Sequence, residues 1–117
     1  MIVAVVGSRK FKQLDLVTRF VQALPGNTHV VSGGALGPDT RAVLAAAVAG
    51  LFTTVLRPEW RRAGRYDPAA GFKRNARIVQ AADVVVAFWD GRSNGTRDSI
   101  SKAKAMGKPV AIYQEGR

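Results

Sequence analysis

The 117-residue chain has no cysteine and a single histidine, His29. The first absence excludes disulfides, thiolate nucleophiles, iron–sulfur clusters and cysteine zinc sites. The second excludes a multi-histidine metal centre within one chain. No apolar stretch approaches the roughly 18 residues that a membrane helix needs. The opening MIVAVVGSRK puts its charges after an apolar run of only about five residues, the reverse of a secretory signal. Acidic residues are also scarce: 8 Asp and Glu stand against 18 Lys and Arg, a net charge of +10. The expectation that remains is one soluble, cytoplasmic domain spanning 1–117, long enough to bury a core unaided.

The excess positive charge points to an anionic partner, either a nucleic acid or a phosphorylated small molecule. It is concentrated in residues 57–77, where Arg57, Arg61, Arg62, Arg65, Lys73, Arg74 and Arg77 meet only Glu59 and Asp67.

Short β-branched runs alternate with helical patterns. Ile2 to Val6 reads as a strand buried on both faces. Leu14, Val17, Val21 and Leu24 recur at helical spacing until Pro25-Gly26. His29 to Ser32 is a second strand. A glycine turn then leads into a helix that starts at Pro38, where a missing N–H costs nothing, and runs to Gly50. Phe52 to Leu56 is the third strand. Residues 57–70 show neither period and contain two prolines, so they form a long loop of the kind that often carries function. A helix over 71–81, a strand over 83–88, a helix from Gly95 to Met106 capped by Gly107, and a strand over 109–113 complete the pattern.

Five strands alternating with four helices predict an α/β fold: one Rossmann-like, doubly wound domain with a five-stranded parallel sheet and helices on both faces. Right-handed crossovers favour the order 3-2-1-4-5. That order has a switch point between the first and fourth strands, and ligands bind beyond the carboxyl ends of the strands there. The flanking loops are Gly7 to Phe11 and Asp90 to Thr96. Together with the turn at Gly33-Gly34, they lead from strand ends toward helix N-termini, which suit phosphate. The candidate ligand residues are Gly7, Ser8, Arg9, Ser32, Gly33, Gly34, Asp39, Arg74, Asn75, Asp90, Gly91, Ser93, Gly95 and Thr96. Arg9 and Arg74 offer the planar fork that matches phosphate. Trp60, Tyr66 and Phe72 interleave with the basic loop, either as a base-stacking surface or as a seal over the core.

GxGxxG, GxxxxGK[ST] and GxSxG are all absent, which argues against ordinary dinucleotide, P-loop and Ser–His chemistry. No resident cofactor or metal is expected; magnesium enters only through a ligand phosphate, with Asp39, Asp90 and Asp98 as its carboxylates. The apolar helix over 37–50, with Val43 and Val48, is expected to form a homodimer or a higher homo-oligomer, because one sheet covers only one of its faces.

The phrases GSRKF at 7–11, SGGALGPD at 32–39, RPEW at 57–60, GFKRN at 71–75 and FWDGRSNGTRDSI at 88–100 are similar to those of the YspA/YpsA-related SLOG family. Its members resemble the DNA-processing protein A and Lonely Guy families. The resemblance spans essentially the whole chain and implies a Rossmann-like fold with a nucleotide-related ligand at the glycine turns. Lonely Guy enzymes cleave the N-glycosidic bond of nucleoside monophosphates and carry PGGxGTxxE. Here Gly95-Thr96 matches the GT, the PGG is missing, and Ser99 stands in the place of the glutamate. The resemblance thus implies Arg74 and the neighbouring carboxylate Asp98 as the catalytic pair of such a hydrolase. DNA-processing protein A, which binds single-stranded DNA, resembles the chain at SGGALGPDTRAVLAAA. Three functions follow as expectations: binding of a nucleotide or nucleotide derivative as sensor, carrier or processing protein, N-glycosidic hydrolysis, and single-stranded nucleic-acid binding.

Overall fold

The computed structural model describes residues 1–115. Its main elements are β1 (Ile2–Gly7), α1 (Leu14–Gln22), β2 (His29–Ser32), α2 (Pro38–Val48) and β3 (Phe52–Val55). A small pair, β4 (Arg61–Arg62) and β5 (Arg65–Tyr66), precedes α3 (Ala70–Ala81), β6 (Val84–Trp89), α4 (Asn94–Ala105) and β7 (Val110–Gln114). The five long strands form one sheet in the order β3-β2-β1-β6-β7, every neighbour parallel. This is the expected 3-2-1-4-5 arrangement of the α/β fold.

The run of β-branched residues in β1 serves two cores at once because successive side chains of a strand leave opposite faces. Val3 and Val5 pack with Val17 and Val21 of α1 and Ala42 and Ala46 of α2. Ala4 and Val6 pack on the other face with Ile78 and Val79 of α3 and Ile100 and Ala103 of α4. β6 alternates likewise, with Phe88 on the α1/α2 side and Ala87 on the α3/α4 side. Both faces of the central strands are therefore dry, and their carboxyl ends carry the turns that differ most in chemistry.

Three details depart from the periodicity. Residues 57–70 are not wholly irregular: β4 and β5 form an antiparallel hairpin, Arg61 opposite Tyr66 and Arg62 opposite Arg65. Its two turn residues, Ala63 and Gly64, both have positive φ (51° and 77°), as a two-residue hairpin turn of the primed type requires. Strands of two residues carry no readable alternation, and Ala-Gly is a weak turn signal. Second, α1 ends at Gln22, short of Leu24. Third, α2 is buried along Ala42, Ala45 and Ala46 but turns Leu44 and Val48 outward, 59% and 88% exposed, while Val43 is half-buried. Among the described residues no helix is long and apolar enough to cross a membrane.

Candidate functional site

Between β1 and β6 the chain reverses the direction in which strands are added, so the turns after these strands splay to opposite faces and leave a crevice. A cavity of about 580 Å³ opens there. Its wall takes Gly7, Arg9 and Lys10 from the turn after β1, Ala35 and Asp39 from the turn into α2, and Arg74 and Asn75 from α3. The β6–α4 turn adds Asp90, Arg92, Ser93, Asn94, Gly95 and Thr96, with Ser99 from the next turn of α4. Gly7 makes this closeness possible: a Cβ there would lie 2.5 Å from Pro38 of α2 and 2.8 Å from the Phe88 carbonyl oxygen.

One wall is a hydrogen-bonded chain of polar side chains. Asp39 is 4% exposed and accepts the Gly33 N–H at 3.0 Å. Burial raises its pKa to about 6, against the lowering effect of that N–H and of the Arg74 charge. Arg74 lies across Gly33 from it, so closely that a Cβ on Gly33 would come within 2.6 Å of the Arg74 Nη1 and 2.9 Å of the Asp39 Oδ2. The Arg74 guanidinium donates to the carbonyls of Gly33 (2.8 Å) and Leu56 (3.4 Å) and to the Asn75 Oδ1 (3.0 Å). Its pKa is lowered by burial and supported by Asp39; an arginine remains charged regardless. Asn75, itself buried, passes the chain on by donating to the Gly95 carbonyl (3.2 Å) and to Asp98 Oδ2 (3.1 Å).

The opposite wall is the β6–α4 turn. Asp90 Oδ1 accepts the N–H groups of Arg92 and Ser93, each at 2.8 Å, and these bonds hold its carboxyl below the usual range. Ser93 caps α4, its Oγ accepting the Thr96 N–H at 3.4 Å. The buried Ser8 hydroxyl accepts the Asp90 N–H (3.1 Å) and lies 3.2 Å from the Thr96 hydroxyl, tying the turn after β1 to the turn after β6. The first N–H groups of a helix have no intrahelical partner. In α4 those of Asn94 and Gly95, both on the cavity wall, have no protein acceptor among the described residues. At the N-terminus of α2, Pro38 has no N–H to offer and the Thr40 N–H is bonded to the Ala35 carbonyl.

The structure thus brings Gly7, Arg9, Asp39, Arg74, Asn75, Asp90, Ser93, Gly95 and Thr96 to one cavity. Ser8, Ser32, Gly33, Gly34 and Gly91 do not line it; Ser32, for example, donates its hydroxyl to the Val5 carbonyl at 2.9 Å. Asp98 also lies off the wall, with the Lys102 ammonium 2.5 Å from its carboxylate. Among the described residues no group of three or more His, Cys, Asp or Glu side chains is placed to hold a metal ion. Asp39, Asp90 and Asp98 each meet protein donors instead. Lys10, Arg92, Asn94 and Ser99 were not singled out by their chemistry, although Lys10, Arg92 and Asn94 sit in the two turns that the topology marks.

No family model matches the chain, and no curated protein matches it. Solved structures do. DNA processing protein A from Streptococcus pneumoniae superposes with a TM-score of 0.83 at 24% identity, over 94% of this chain and 49% of that one. The structural-genomics target TM1055 gives 0.69 at 25% identity, over 93% of this chain and 71% of that one. DNA processing protein A from Helicobacter pylori, described for its single-stranded DNA binding mode, gives 0.73 at 22% identity, over 96% and 64%. The chain spans about half the length of the first of these. With its five parallel strands and paired helix layers, the chain has the Rossmann-like fold of DNA-processing protein A, in keeping with the SLOG resemblance carried by its turn sequences.

Proposed function

We propose that the cavity binds a nucleotide or a nucleotide derivative, with a phosphate group at the N-terminus of α4. The observation that carries this reading is the pair of unpartnered N–H groups of Asn94 and Gly95 facing a cavity whose rim holds Arg9, Lys10 and Arg92. A helix N-terminus with free donors and flanking cations is a ready-made anion site, and 580 Å³ lies within the ordinary range for a small-molecule pocket. Asp90 keeps its charge on the wall, but its Oδ1 is turned onto two N–H groups of its own turn, whose dipoles offset that charge toward a phosphate. The ligand cations are Arg9, Lys10 and Arg92. Arg74 positions the Gly33 turn, since most of its donors already meet protein acceptors.

Binding without turnover is the reading that the side chains favour over N-glycosidic hydrolysis. Asp98 is paired with Lys102 and off the wall, so the pair Arg74 and Asp98 does not present a free carboxylate to a ligand. The nucleotide reading is tested by thermal shift against nucleoside mono- and diphosphates, cyclic nucleotides and ADP-ribose. A ligand at 100 times its Kd adds about 2.7 kcal/mol to the folded state, a readily seen shift. Replacing both Arg9 and Arg92 by alanine should weaken binding at least about tenfold, since a hydrogen bond to a charged group contributes about 1.5–3 kcal/mol. Absence of any shift across the panel at millimolar concentration would sink the reading. The same proposal includes a homodimer that covers the outward face of α2.

A further inference from the structure

The Gly33 peptide is gripped from both sides by opposite charges. Its N–H donates to the Asp39 carboxylate at 3.0 Å, and its carbonyl accepts from the Arg74 guanidinium at 2.8 Å. Both charged groups also line the cavity, and Asp39 is almost wholly buried. The wall of an anion site therefore contains a negative charge that water does not screen. Asp90, the cavity's other carboxylate, is different: it is only half-buried, and two N–H groups of its own turn hold it ionised.

The groups around Asp39 set the direction of its response. From α3 comes the Arg74 charge, with Arg77 beside Arg74. From β2 and the turn after it come the Ser32 hydroxyl and the N–H groups of Gly33 and Ala35. Arg57 reaches the far side of that turn, its Nη1 2.9 Å from where a Gly34 Cβ would stand. Across the cavity stand Arg9 and Lys10 after β1, and Asp90 and Arg92 after β6. On the helix of Asp39 itself, Arg41 is drawn to Asp15 at 3.6 Å. Arg74 and the N–H groups favour the carboxylate, yet burial outweighs them and holds the pKa at about 6. A bound anion tips the balance further, because it engages Arg9, Lys10 and Arg92 and adds a negative field of its own.

We propose that the cavity takes up its anion together with a proton, and that the proton goes to Asp39, so that Arg74 keeps its charge and no buried carboxylate opposes the ligand. The proton comes from solvent and adds to the carboxylate; no bond of the ligand changes. Resting on the anion site proposed above, this coupling regulates that site: affinity rises as pH falls through the range in which Asp39 is ionised without ligand and protonated with it. Unit charges about 10 Å apart at an effective dielectric constant near 20, the scale of a cavity this size, change a Kd roughly tenfold.

The test is NMR titration of the whole chain with sodium sulfate, an anion whose charge is constant from about pH 5 to about pH 8, read at the Asn94 and Gly95 amides at both ends of that range and at fixed ionic strength. The parent should bind sulfate about tenfold more tightly at the acid end. Asp39→Asn, neutral throughout, should bind within about twofold at the two ends. His29, bonded to Thr54, is common to both chains, so the comparison cancels it. A second measurement needs no variant: the Asp39 carboxyl carbon of the parent should titrate near pH 6, and saturating sulfate should raise that midpoint by about one unit. The coupling is overturned if the parent binds sulfate equally at both ends, if Asp39→Asn keeps the parent's pH dependence, or if sulfate leaves the Asp39 midpoint where it was. Amides of Asn94 and Gly95 that do not respond to sulfate at either end would instead remove the anion site itself, and the coupling with it.

Discussion

At the scale of single residues, Asp39 is the group whose chemistry depends most on its surroundings. Its folded pKa of about 6 lies above the ordinary value of 3.8. Between those two values the folded chain holds a proton that the unfolded chain releases. Stability from this group is therefore fully present below about pH 4 and lost as pH rises through 6, on the order of 3 kcal/mol. Asp39→Asn keeps the size and an oxygen to accept the Gly33 N–H but removes the titration. Urea unfolding of both chains at intervals from pH 4 to 7 should show the variant losing less stability than the parent over that range. Parallel curves would mean that Asp39 does not titrate there. Gly7 is the residue whose smallness holds the site together. Gly7→Ala forces a methyl group against Pro38 and the Phe88 carbonyl, and denaturant unfolding should show a loss of about 1–3 kcal/mol, as for other overpacked positions.

At the scale of elements, the β6–α4 turn is a self-contained device. Asp90 satisfies two successive N–H groups, Ser93 caps the helix, and Ser8 reaches across from β1 to the same turn. The consequence is a helix N-terminus held open toward the cavity rather than frayed. Asp90→Ala removes the oxygen that accepts both N–H groups and should destabilise the chain by about 1–2 kcal/mol. It should also weaken nucleotide binding beyond what stability alone explains, because the N–H groups of Asn94 and Gly95 lose their orientation. Calorimetric titration well below the melting temperature checks this: a variant that binds as tightly as the parent would show that the turn needs no such brace.

At the scale of the whole molecule, charge and apolar surface are segregated. The arginines gather over 57–77, while the outer face of α2 presents Leu44 and Val48, which with Ala49 and the buried Ala45 line an apolar groove of about 360 Å³. A chain with net charge +10 resists self-association except through a face that carries few of those charges; here Arg41 at the groove's rim is the exception. Light scattering at tens of micromolar should report a dimer for the unmodified chain and a monomer for Val48→Asp, a concentration at which apolar contacts of ordinary size persist. Val43 is half-buried and therefore a poorer probe than Val48, which is 88% exposed. A monomeric parent chain would remove the homodimer from the account.

The sequence by itself determined the five long strands, the four helices, their order and the end of the sheet where the crevice lies. These depend on local signals: the β-branched run at Ile2 to Val6, the stop at Pro25-Gly26, the entry into α2 at Pro38, and the handedness of each crossover. Two-residue strands give no such signal, so periodicity does not distinguish the hairpin at Arg61 to Tyr66 from a loop. Only the tertiary structure decided which members of the marked turns face the cavity. The Ser8 and Thr96 hydroxyls meet across 88 positions, and Arg74 meets the Gly33 carbonyl across 41. Such meetings follow from strand register and from how closely α2 and α3 pack over the strand ends, and neither is written in local periodicity. The same packing set Arg74 against the backbone and Asn75 against Asp98, whose other partner, Lys102, lies one turn on in α4, and it left Arg9, Lys10 and Arg92 on the cavity wall. Residue type and spacing located the neighbourhood; burial and hydrogen-bond partners assigned the roles within it.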